Sequence, residues 1–148
     1  MTFDEFADRF KTATQNIQKR RAVVALKVAF DLSALVKLRI QTRGEDFNNV
    51  SFSPYARRTI IQRKTKGYQT AYVDFTQTGR MFANVLPKIT SSNESETTVQ
   101  ITARSATEQA KLKNIKRKRG NILRPSQQEI SIVTNMYKTQ MLSGIKFF

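Results

Sequence analysis

The chain contains no cysteine and no histidine. That removes disulfide stapling, thiolate zinc sites and any thiol or imidazole nucleophile. A catalytic site would have to use carboxylates, Lys, Ser, Thr or Tyr. Carboxylates are scarce, with 11 Asp and Glu against 26 Lys and Arg. They are scattered apart from Asp4/Glu5/Asp8 and Glu45/Asp46. The first group suits the opening turn of a helix better than an acid–base dyad. No catalytic residue, metal ligand or cofactor is assigned from the sequence. Long apolar runs are missing too. No window approaches the roughly 18 residues of a membrane span, so no membrane contact is expected. The N-terminal M-T-F-D-E-F-A-D is acidic where a secretion signal would be basic, so synthesis and use in a cytoplasm are expected.

What the chain has in excess is positive charge, +15 over 148 residues. Residues 1–43 carry 9 basic and 4 acidic side chains, residues 44–103 carry 7 and 5, and residues 104–148 carry 10 and 2. Such an imbalance attracts polyanions and repels copies of itself unless something compensates. Nucleic acid and acidic protein surfaces are the compensators to consider. The length suits one domain, and the apolar fraction of 39% allows one modest core.

Residues 3 to about 41 read as one helix. Thr2 and Glu5 are spaced for a capping box. Apolar residues recur at Phe3, Phe6, Phe10, Ala13, Ile17, Val24, Val28, Leu32, Leu35 and Leu38, which draws one stripe. Gly44 is the first stop signal. At roughly 57 Å the helix is too long for a domain of this size to cover, so part of it is expected to meet a neighbouring subunit. Two helices broken near Arg20 are the alternative. Residues 44–54 form a loop, and a short helix follows Pro54, which suits a first helical position. Thr70–Phe75 alternates like a short strand. Thr78 is placed to cap a helix from Gly79 to about Asn84. Val85–Thr90 and Thr97–Ala103 are the clearest strands, in a sheet of two or three. Ser105 starts a helix that ends in a charge run and stops at Gly120. Ser126 and Glu129 form a capping box for the last helix, residues 127 to about 142. The class is α+β: a long N-terminal helix and a C-terminal helix packed on a small antiparallel sheet, with extended basic loops.

Two basic groups stand out. Lys111, Lys113, Lys116, Arg117, Lys118 and Arg119 suit a loop that contacts phosphates without reading sequence. A solvated face, or a socket for acidic side chains of another protein, fits equally well. Arg57, Arg58, Arg63, Lys64 and Lys66 form the second group, between Tyr55 and Tyr68. That mix loosely fits a nucleic-acid surface, although Tyr55 beside Pro54 is more often a loop anchor. The end of the chain, Ile145, Phe147 and Phe148, is apolar after Gly144. It is expected to dock on a neighbouring subunit or on its own domain.

The stretch from Gly44 to Val85 places Phe52, Pro54, Tyr55, Lys64 or Lys66, Val73, Phe75, Thr78, Gly79 and Met81 in a particular order. That order resembles the neck, head–tail joining and tail-completion proteins of tailed phages. Arg124-Pro125-Ser126 before the last helix is similar as well. The chain departs from the family just upstream, where it has the basic run and Gly120 instead of a His and a Gly-containing loop. The resemblance implies a structural virion protein, not an enzyme. It would be made in a host cytoplasm and form a homo-oligomeric ring between the portal or adaptor and the tail or other neck proteins, around packaged DNA. The Pro54–Lys66 segment would be an arm that locks subunits together. A non-specific nucleic-acid-binding module is the rival. A small enzyme using carboxylates is a weaker one, with Asp74, the acidic residue nearest the sheet, as the position to probe.

Overall fold

The computed structural model describes residues 3–93 and 96–142. Five helices and one hairpin follow in the order α1 (Phe3–Arg43), α2 (Arg57–Thr65), α3 (Arg80–Asn84), β1 (Val85–Ser92), β2 (Thr97–Ala103), α4 (Ala106–Arg119) and α5 (Gln127–Leu142). The class is α+β, as the periodicities indicate. α1 is one continuous helix of 41 residues, without a break at Arg20. Thr2, and with it the first expected capping box, lies outside the described residues.

α1 packs against both strands and against α5. Val36 and Ile40 meet Met81, Phe82 and Ile122 in the core, with Leu32, Phe75 and Leu112 against them. Burying each large apolar side chain contributes about 1.5–3 kcal/mol. The expected stripe needs one correction. Leu38 is 57% exposed, whereas Val36, Arg39 and Ile40 are buried. Those three share a face at i, i+3 and i+4. Arg39 must turn inward to reach Glu129 on α5, and this rotates Leu38 outward.

Gly44 closes α1. Its N–H donates to the Ile40 carbonyl at 3.0 Å and its φ is +64°. A Cβ there would lie 2.9 Å from the Tyr72 side chain and 3.1 Å from the Val73 carbonyl. Gly44→Ala therefore combines a left-handed backbone with a clash, and is expected to destabilise by about 1–3 kcal/mol. Denaturant midpoints would measure this, and an unchanged midpoint would refute it.

The sheet has two antiparallel strands, with Val85 opposite Ala103 and a register shift between Ile89 and Ser91. Pro87 is tolerated opposite Ile101 because every strand of a two-stranded sheet is an edge. Thr70–Phe75 is not a strand. The N–H groups of Asp74 and Phe75 both donate to the Tyr55 hydroxyl at 3.2 Å, and Phe75 has φ +52°. Neither is compatible with a regular ladder. α3 also starts differently. Gly79, at φ +74°, is its N-cap and no side chain caps it, so Thr78 does not have that role. α2 begins at Arg57 after Ala56, which leaves Pro54 outside the helix.

Two readings at the C-terminal end hold. Ser105 Oγ accepts from the Glu108 N–H at 3.2 Å and starts α4. Ser126 and Glu129 form a reciprocal box: the Ser126 N–H donates to Glu129 Oε2 at 2.7 Å, and the Glu129 N–H donates to Ser126 Oγ at 3.2 Å.

Candidate basic interface

The two basic groups are built on different local structures. The first is helical to its end. α4 runs through Arg119, so the expected phosphate-contacting loop is in fact a helix surface. Lys116, Arg117, Lys118 and Arg119 occupy its last turn, where the negative end of the helix dipole stabilises cations. Gly120, at φ +77°, ends it. Leu112 and Ile115 turn toward the core, while Lys113, Lys116, Arg117 and Lys118 are exposed. Lys111 is held by Glu108 at 2.9 Å. Arg119 is tied down: it donates to the Ser53 carbonyl and its guanidinium lies 5.8 Å from the Phe75 ring centroid.

The second group is divided. Arg57, Arg58, Lys64 and Lys66 are exposed, but Arg63 is buried, which corrects its assignment to the surface. Its Nη2 donates to Asp74 Oδ1 and Oδ2 at 3.0 and 3.1 Å. Nε donates to the Gln69 carbonyl at 2.8 Å and Nη1 to the Thr76 carbonyl at 2.7 Å. The guanidinium sits 4.6 Å from the Tyr55 ring centroid and 5.6 Å from that of Tyr68, within cation–π range. Tyr55 donates to Asp74 Oδ1 at 2.9 Å. Burial first, and then that hydrogen bond and the carboxylate charge, raise its phenol above the usual 10.0. Tyr55 thus anchors the segment leading into α2, and Asp74 serves as the internal counter-charge of Arg63. Asp74 is consequently no clean probe of an enzymatic role, because removing it would disturb the fold itself.

The Arg119–Ser53 hydrogen bond joins the C-terminal end of α4 to the segment leading into α2. Two shallow clefts of about 230 and 310 Å³ share Phe75 and Gln77; Lys66 lines the first and Lys111 the second. The Thr78-Gly79 turn lines the second, and Met81 after it is in the core. Ile145, Phe147 and Phe148 lie outside the described residues.

Sequence reasoning missed the Arg39–Glu129 pair and the internal pairing of Asp74. The signal for the first was a capping-box Glu on one helix and a lone Arg within the apolar stripe of another. Among the described residues, no group of three or more His, Cys, Asp or Glu is arranged to hold a metal ion, and no helix is long and apolar enough to cross a membrane. The chain matches no known protein family, no curated protein and no solved structure.

Proposed function

We infer that the chain is a structural subunit of a tailed-phage neck. It assembles with copies of itself into a ring that joins the portal or adaptor to the tail. The observation that carries this reading is an unpartnered apolar line on α1. Val23, Phe30 and Leu38 are 68%, 43% and 57% exposed. They are seven and eight positions apart, which keeps them on one side of the helix. This line is separate from the buried face that holds Val36 and Ile40. Isolated exposed apolar residues are ordinary, but an aligned set on one helix is a seam for a partner. A ring neighbour offering the same helix or the opposite side of the molecule would cover it. The phage-like order from Phe52 to Met81 supports the same reading.

Native mass measurement and negative-stain imaging of the purified chain, alone and with portal and tail components, test it. Phe30→Glu with Leu38→Glu is expected to convert the oligomer to a monomer. The same double variant should keep the helical circular dichroism and lower the melting temperature only modestly, because both residues are about half exposed in the single chain. A variant that still assembled like the parent would remove the seam.

A further inference from the structure

Residues 51–93 and 97–142 contain 16 Lys and Arg and three carboxylates. All three carboxylates are buried: Asp74 6%, Glu108 3% and Glu129 5% exposed. Each is consumed internally, Asp74 by Arg63, Glu129 by Arg39 and Glu108 by Lys111. Apart from the hairpin tip between them, where Glu96 is exposed, the surface these segments present has positive charge and no negative charge. A domain adapted only to water mixes both signs.

The concentration is greatest on α4. Among the described residues, Lys113, Lys116, Arg117 and Lys118 form no ion pair. The helix dipole accounts for cations in the last turn. It does not account for Lys113, nor for the missing acidic partners one turn away. Arg57 and Arg58 are exposed as well, on α2, which begins four residues after the Ser53 that Arg119 holds. α4 exposes no large apolar side chain. Protein interfaces concentrate apolar and aromatic anchors at their centre, whereas nucleic-acid interfaces are polar and strongly cationic. The helix is about 21 Å long, a length over which duplex DNA carries about a dozen phosphates.

We propose that α4 binds the phosphate backbone of duplex DNA without reading its sequence. The choice of DNA as the duplex rests on the ring reading above, in which the genome passes the subunit. The binding itself is a property of the single chain.

The test is anisotropy of a labelled random-sequence duplex titrated with the full chain across a salt series. The parent should bind with a steep negative slope of log Kobs against log salt. Lys113→Gln, Lys116→Gln, Arg117→Gln and Lys118→Gln combined should flatten that slope by about 3–4, at about 0.9 for each phosphate no longer neutralised. Gln keeps a helix propensity close to that of Lys, and circular dichroism verifies that α4 survives. Lys11→Gln with Lys19→Gln and Lys27→Gln on α1 removes comparable charge elsewhere and should change the slope by less than about 1. An equal loss per charge in both variants would overturn the assignment to α4. Competition by polyglutamate as effective as that of DNA, charge for charge, would overturn the assignment to nucleic acid. Intact rings with no DNA binding would remove this proposal and leave the assembly reading standing. DNA binding by a chain that never assembles would do the reverse.

Discussion

Arg39→Met is expected to lower the unfolding free energy by about 3–5 kcal/mol, as for breaking other buried pairs. Arg39 is 1% exposed and makes four hydrogen bonds. Nε reaches Glu129 Oε1 at 2.8 Å and Nη2 reaches Oε2 at 3.3 Å. Nη1 and Nη2 also hold the carbonyls of Glu45 and Arg124, each at 2.9 Å. One side chain thus pins the loop after α1, the lead-in to α5 and α5 itself. Methionine fills much of the volume, so the loss would report the stranded Glu129 carboxylate rather than a cavity. Adding Glu129→Gln should recover part of the loss, because the uncompensated charge disappears. Chemical denaturation of the two single variants and the double variant measures the coupling. A single-variant loss under about 1 kcal/mol, the range of a surface pair, would show that Arg39 is not a clamp.

The second large effect is expected for Asp74→Ala. Asp74 Oδ1 accepts from Arg63, from the Tyr55 hydroxyl and from the Thr76 N–H. Its removal leaves a buried guanidinium facing an apolar side chain, and a loss of about 3–4 kcal/mol follows. A spectroscopic readout accompanies it. The ionisation of Tyr55 should fall toward 10.0 but remain somewhat raised, since burial is the larger cause and persists. The sign for the parent protein follows from linkage. An unfolded tyrosine ionises before the folded one, so the stabilisation held by the neutral phenol is complete below about pH 10. It is lost as pH climbs from there through the raised folded value. In the Asp74 variant that alkaline loss should shrink. Tyrosinate absorbance titration checks both statements, and an unaltered Tyr55 titration in the variant would contradict them.

Much of the architecture can be read from residue periodicity. The long helix, its stop at Gly44, the hairpin and the Ser126–Glu129 box all follow from spacing and local chemistry. Local reading fails where a tertiary partner overrides the pattern. Arg39 looks like an interruption of an apolar stripe because its counter-charge is 90 positions away. Thr70–Phe75 alternates like a strand, yet the Tyr55 hydroxyl takes two of the N–H groups a ladder would need. The lysine-rich run also suits a phosphate-contacting loop, but Ser105 starts a helix that carries it through Arg119, where the dipole favours the charges. The basic groups themselves are legible. That Arg63 is withdrawn into the interior is not, because its partner Asp74 lies beyond an intervening loop. Nor does periodicity reveal which apolar side of α1 the chain covers by itself and which side it leaves open.

The clamp at Arg39 also dictates an order of events during synthesis. Residue 39 leaves the ribosome long before residue 129 exists. During that interval the first helix carries a guanidinium without its counter-ion and an apolar flank with nothing against it. Completion of the interior is therefore tied to the arrival of α5, and this part of the nascent chain remains unfinished until residue 129 is in place.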